Sequence, residues 1–244
     1  MSLEKHGEMR SPERRLINGL AALSVFVIGI TATGWWQLKV PRVIDWESEI
    51  AAFEAMDEGQ PPPENPVLFV GSSSIKRWEG IKKDFHSSPI IRRGMRGAHI
   101  EDVTGFADSI VLPYEPRMIL LYAGDNDLAF HRNPEQVLID FKKFVSKVRE
   151  ELPETRIGFI SIKPSIARWP LIRKVRVANR LVQQYAKSEP LVSYIDVFTP
   201  MLDSNGKLKE IYFSDDGLHM NRRGYRLWRD VIQEQVPLLN EEDQ

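Results

Sequence analysis

The chain has 244 residues, a formal net charge of −1 and 42% hydrophobic residues. That length buries one sizeable core, so one domain or at most two is expected, and the near-zero charge provides no global field to recruit nucleic acid or acidic surfaces. With no cysteine in the sequence, disulfides, thiolate metal sites and a cysteine nucleophile are excluded, while the redox compartment stays open.

Residues 1–15 are polar, carry Lys5, Arg10, Arg14 and Arg15, and read as a cytoplasmic tail. Leu16 to Trp36 follow as 21 residues without a charge, closing on Trp35-Trp36. Such a run crosses a hydrocarbon layer of ~30 Å as a helix, and tryptophan favours the membrane interface. Segment 16–38 is therefore expected to be a transmembrane anchor. Basic residues before it outnumber Lys39 and Arg42 just beyond, so the remainder is expected on the exported, periplasmic or extracytoplasmic, side. A cleaved signal peptide, cut near Ala32-Thr33-Gly34, competes with this reading; the apolar run exceeds the usual apolar core of about 7–15 residues. A buried soluble helix fits less well, because the stretch has no polar face.

Segment 39–66 holds an amphipathic helix and a linker. Trp46, Ile50 and Phe53 share one helical face between Trp46 and Met56, and Asp57 to Pro66 form a stiff proline-rich connector. The remaining residues, 67–244, alternate strand and helix signals. Apolar runs at Val67–Val70, Pro89–Ile91, Met118–Tyr122, Ile157–Ile162 and Val192–Val197 predict about five strands. Helical patterns lie between them: Ile75 to Phe85; a segment capped at Asn133-Pro134 with Val137, Leu138, Phe141, Val145 and Val148 on one face; one holding Val175, Leu181, Val182 and Tyr185; and a last one after Asn221 carrying Tyr225, Leu227, Trp228, Val231 and Ile232. This alternation predicts an α/β fold, a parallel sheet with helices on both faces.

In such a sheet the loops at the carboxyl ends of the strands share one rim, where ligands bind. Gly71-Ser72-Ser73-Ser74 follows the first strand, Arg92 to Ala98 the second, Ala123-Gly124-Asp125-Asn126-Asp127 the third, and Asp216-Gly217-Leu218-His219 precedes the final helix. Together they hold what acyl transfer requires: a hydroxyl nucleophile, a histidine to take its proton, and a carboxylate to orient that histidine. Donors for the oxyanion are available in the Ser73 N–H, the Gly97 N–H and the Asn126 side-chain amide.

These four blocks, in this order from Val67 to Gly224, resemble those of the SGNH hydrolases, the GDSL esterase/lipase superfamily. Gly71-Ser72-Ser73 is similar to the Gly-Asp-Ser block, Gly97 to the glycine block, Gly124-Asp125-Asn126-Asp127 to Gly-x-Asn-Asp, and Asp216-Gly217-Leu218-His219 to Asp-x-x-His. The resemblance implies Ser73 as nucleophile, Asp216 and His219 as its partners, and an oxyanion hole of Ser73, Gly97 and Asn126. It also implies a three-layer, flavodoxin-like sheet of order 2-1-3-4-5, no metal or organic cofactor, and an acyl or acetyl ester as substrate. Lysophospholipase or thioesterase activity, or a degenerate member that binds its ligand without cleaving it, are the alternatives; oligomeric state is left open. An α/β-hydrolase elbow does not fit, since Ile75 stands where the last glycine of G-x-S-x-G belongs.

Two departures stand out. Ser72 occupies the usual aspartate position, and Arg92, Arg93 and Arg96 make the second block basic, a hint of an anionic substrate. His6, His86, His99 and His131 read as surface or loop residues, Asp125 and Asp127 as turn formers, Asp215 as solvated, and Ser74 as capping or beginning the first helix.

Overall fold

Two five-residue runs without a charged side chain dictate the centre of the sheet: β1 (Val67–Gly71) and β3 (Met118–Tyr122) are buried along their whole length. The computed structural model describes residues 44–240. The proposed tail at 1–15, the anchor at 16–38 and His6 lie outside these residues. Among the described residues no helix is long and apolar enough to cross a membrane.

The sheet is parallel, in the order β2 (Ile90–Gly94), β1, β3, β4 (Arg156–Ile160), β5 (Val192–Ile195). Alternation along β1 makes the layers. Leu68 and Val70 face a cluster that includes α4 (Ile100–Gly105), α7 (Pro134–Glu151) and α8 (Ile172–Ser188), whereas Val67 and Phe69 face α2 (Ser73–Lys76), α3 (Ile81–Asp84) and α9 (Arg222–Gln235). Short helices α5 (Ala107–Ile110) and α6 (Asp125–Ala129) complete the first face.

The strands end in register. Gly71 pairs with Gly94 on one side and Tyr122 on the other, so the segments beginning at Ser72, Met95 and Ala123 leave the sheet at one level. Ser72 N–H donates to the Tyr122 carbonyl, and Met95 N–H to the Gly71 carbonyl, both at 2.8 Å. Gly71 has φ +139°, and a Cβ there would sit 1.9 Å from the Tyr122 carbonyl oxygen. Only glycine lets the chain turn this close to its neighbour.

Three expectations need correction. Segment 75–85 is two short helices, α2 and α3: Trp78 is turned into the core against Phe69 and Phe85, its Nε1–H donates to Asp84 Oδ2 at 2.7 Å, and Gly80 begins the second helix. The amphipathic helix α1 (Glu47–Gly59) runs three residues past Met56, because Asp57 is anchored by Arg93 and by the Tyr114 hydroxyl, which donates to Asp57 Oδ2 at 2.6 Å. Arg93 is 4% exposed beneath that helix, against Phe53 and Tyr114, so of the three arginines it cannot meet a substrate. The compact unit thus begins at Ile44, with α1 part of it.

Candidate active site

Four loops build the site, each held by its own local chemistry. Ser72 is the N-cap of α2 and Ser73 its first residue, so the Ser73 N–H is among the helix-start donors that lack an intrahelical acceptor. The Met95–Ala98 turn is closed by the Ala98 N–H to the Met95 carbonyl at 3.4 Å, with Gly97 at φ +70°. The Asp216–His219 loop is closed at its base by the Phe213–Met220 bridge, just ahead of α9. Asn221 caps that helix by accepting from the Arg223 and Gly224 N–H groups, and its Nδ2 donates back to the Ile211 and Phe213 carbonyls. The Ser214 N–H to His219 carbonyl bond, 2.9 Å, completes the loop.

Ser73 and His219, 146 positions apart, meet at 2.9 Å between Oγ and Nε2. On the other side of the ring, Nδ1 lies 2.6 Å from Asp216 Oδ2. Oδ1 of Asp216 accepts the backbone N–H groups of Leu218 at 2.9 Å and His219 at 2.8 Å. Burial pushes this carboxyl up, but the His219 ring and the two backbone donors outweigh it and hold the group well below the usual carboxylate range. An ionised carboxylate only accepts hydrogen bonds. Nδ1 therefore carries the ring proton, and Nε2 presents its lone pair to the Ser73 hydroxyl, the tautomer a general base needs. Arg77 Nη1, 3.6 Å from Asp216 Oδ2, is more than half exposed and adds little in water.

Asn126, 5% exposed on α6, is joined to the second loop. Its Nδ2 donates to the Ala98 carbonyl at 3.0 Å, next to Gly97. Its Oδ1 accepts from Arg168 Nη2 at 2.8 Å, and Arg168 Nη1 reaches Asp125 Oδ2 at 2.7 Å. The Arg168 loop is also tied to the histidine loop by the Ala167 N–H, which donates to the Gly217 carbonyl at 3.0 Å. Below it Lys163 is buried, its ammonium 3.8 Å from Asp125 Oδ2, and burial pushes its pKa down.

All five residues singled out from the sequence thus lie on these loops: Ser73, His219 and Asp216 as one hydrogen-bonded chain, Gly97 and Asn126 joined through Ala98. Asp127 accepts from the Ile100 N–H at 3.2 Å, and Asp125 faces Arg168 and Lys163. Ser74 is the second residue of α2, and Asp215 is exposed. His99 differs from expectation: it is 7% exposed, the N-cap of α4, with its ring against Phe130. Arg168 and Lys163 were not foreseen; the one available signal is that they are the only charged residues between Ile160 and Leu171.

A parallel α/β sheet in this order, with a serine, a histidine and an aspartate in hydrogen-bond contact at its carboxyl rim, is a hydrolase scaffold suited to acyl transfer. The chain belongs to the GDSL-like lipase/acylhydrolase family, whose profile matches residues 71–227, and is a carboxylic ester hydrolase of the SGNH superfamily. No curated protein matches it. Among solved structures, a protein from Streptococcus pneumonia named for platelet activating factor is similar at 23% identity and TM-score 0.69, over 77% of this chain and 91% of that one. A GDSL-like lipase from Bacteroides thetaiotaomicron has 19% identity and TM-score 0.66, over 78% and 98%. A family 3 carbohydrate esterase from Clostridium thermocellum has 16% and 0.58, over 73% and 98%.

Proposed function

We propose that the protein cleaves acyl or acetyl esters with Ser73 as nucleophile, His219 as general base and acid, and Asp216 as the group that orients His219. The reading rests on one observation above the others, the Ser73 Oγ to His219 Nε2 contact of 2.9 Å continued to Asp216 at 2.6 Å. Ser73 Oγ attacks the ester carbonyl carbon as its proton passes to Nε2. The tetrahedral intermediate collapses, the bond to the alkoxy oxygen breaks, and Nε2 returns the proton to the departing alcohol. Water, deprotonated by His219, then attacks the acyl-enzyme and releases the acid and Ser73. The Ser73 N–H, the Gly97 N–H and the second Asn126 Nδ2 hydrogen serve the oxyanion.

The substrate class is acyl esters, and a carbohydrate ester is one candidate, since a carbohydrate esterase shares the fold. A panel of acetyl, medium-chain and lysophospholipid esters separates this from lipid acyl hydrolysis. Ser73→Ala is expected to abolish turnover of short-chain p-nitrophenyl esters while leaving the fold intact; full activity in that variant overturns the reading. We also infer, from the 21-residue uncharged run before Gln37, that the hydrolase domain beginning at Ile44 belongs to a membrane-tethered, exported chain. Protease accessibility in spheroplasts tests that placement.

A further inference from the structure

The family match begins at residue 71, yet side chains ahead of it reach the turn that carries Gly97. Trp46 Nε1–H donates to the Arg96 carbonyl at 3.0 Å, and the Arg96 N–H donates to Glu49 Oε2 at 3.3 Å. Glu49 Oε1 in turn lies 2.7 Å from Lys76 Nζ, at the end of the helix that begins with Ser73. Ile44 Cδ1 lies 3.1 Å from where a Gly97 Cβ would stand.

The Arg96 carbonyl and the Gly97 N–H belong to one planar trans peptide, so they point in opposite directions. Fixing one fixes the other. In the Met95–Ala98 turn this peptide is the central one, and Gly97 at φ +70° is the third residue of a type II turn. A half-turn of that peptide converts type II to type I at little cost when the third residue is glycine. It reverses the Gly97 N–H, leaving a carbonyl where a donor stood. Trp46 holds the carbonyl in the type II direction.

We propose that Trp46 is a positioning residue for catalysis, locking the Arg96–Gly97 peptide so that the Gly97 N–H serves the oxyanion, with Glu49 holding the preceding Met95–Arg96 peptide through the Arg96 N–H. This rests on the role given above to Gly97. The domain's first helix is thereby part of the catalytic apparatus, although it lies outside the family match.

The full-length protein is compared with Trp46→Phe, which keeps a ring against Phe106 (6.2 Å between centroids) but lacks the N–H. A second variant carries benzothienylalanine at position 46, isosteric with tryptophan and also without the donor. Each is measured for p-nitrophenyl acetate turnover, active-serine titration with a fluorophosphonate, and inhibition by a trifluoromethyl ketone, whose tetrahedral adduct needs the same donors. The expected result is a kcat lower by roughly tenfold or more, KM within twofold, one labelled serine per chain, and a ketone Ki raised in parallel with the loss of kcat/KM. Turnover within twofold of the parent in both variants overturns the proposal. So does a joint loss of labelled sites and thermal stability, which marks a folding role. A parent chain that neither labels nor turns over ester refutes the esterase reading itself, and this inference with it.

Discussion

Arg168 donates to the Asn126 side-chain oxygen at 2.8 Å, and so decides which way that amide faces. Guanidinium only donates and the Ala98 carbonyl only accepts, so the two contacts together admit one assignment of Oδ1 and Nδ2. One Nδ2 hydrogen is committed to Ala98 and the other is left for the site. Asn126→Ala is expected to lower kcat by about 10²–10³-fold. Arg168→Gln is expected to lower it by roughly tenfold, with KM little changed, because the amide then loses a rigid charged donor. If Arg168 acts through Asn126, adding Arg168→Gln to Asn126→Ala costs little more; additive losses in kcat refute that.

Ser72 sits where the family's blocks usually place aspartate, is fully buried, and its Oγ has no hydrogen-bond partner among the described residues. A carboxylate placed there is buried, with only the free N–H groups at the start of α2 in local reach. Ser72→Asp is expected to destabilise the fold at pH 7 by roughly 2–4 kcal/mol without raising kcat. Ser72→Ala removes a hydroxyl that bonds nothing, so its cost should stay below about 1 kcal/mol. Thermal unfolding of the two variants checks both, and a stable, faster Ser72→Asp contradicts the argument.

Asp127 is fully buried, and that burial pushes its carboxyl up to about 7 against the bond it accepts from the Ile100 N–H. The sign follows from linkage. The folded chain keeps this proton to about pH 7 while the unfolded chain releases it near 3.9, so folding is favoured at low pH and loses stability as pH rises between these values. Asp127→Asn, which cannot ionise, removes that decline. The gap in unfolding free energy between variant and parent is expected to shift in favour of the variant by a few kcal/mol from pH 4 to pH 8. A gap that stays constant over this range contradicts the assignment.

The two central strands were legible because each is a short apolar run ending at a glycine or polar loop, whereas β2 runs on through Arg92 and Arg93 to Gly94, residues expected in the loop after it. Val67–Gly71 and Met118–Tyr122 differ from the runs read in the sequence by at most one residue. Asn133 and Asn221 announced their helices because capping is local: each side-chain oxygen accepts an N–H two or three residues on. Where the sequence misled, a long-range contact had decided. Trp78 ends a helix by entering the core between Phe69 and Trp228, a partner choice that no spacing reveals. Arg93 looked available to an anion until the α1 helix placed Asp57 on it. Arg168 and Trp46 lie in stretches that carry no family block, and each matters through one hydrogen bond to a distant loop. The four blocks, by contrast, could be found by order alone, since the strands they follow end at one level.

The proposed mechanism needs one hydroxyl among three adjacent serines to be activated. Treating the full chain with a fluorophosphonate and mapping the adduct by mass spectrometry tests this most directly, because Ser72, Ser73 and Ser74 differ only in what stands beside them. One adduct per chain is expected, on Ser73, lost in His219→Ala. An adduct on Ser72 or Ser74, or a folded chain that takes no label, contradicts it.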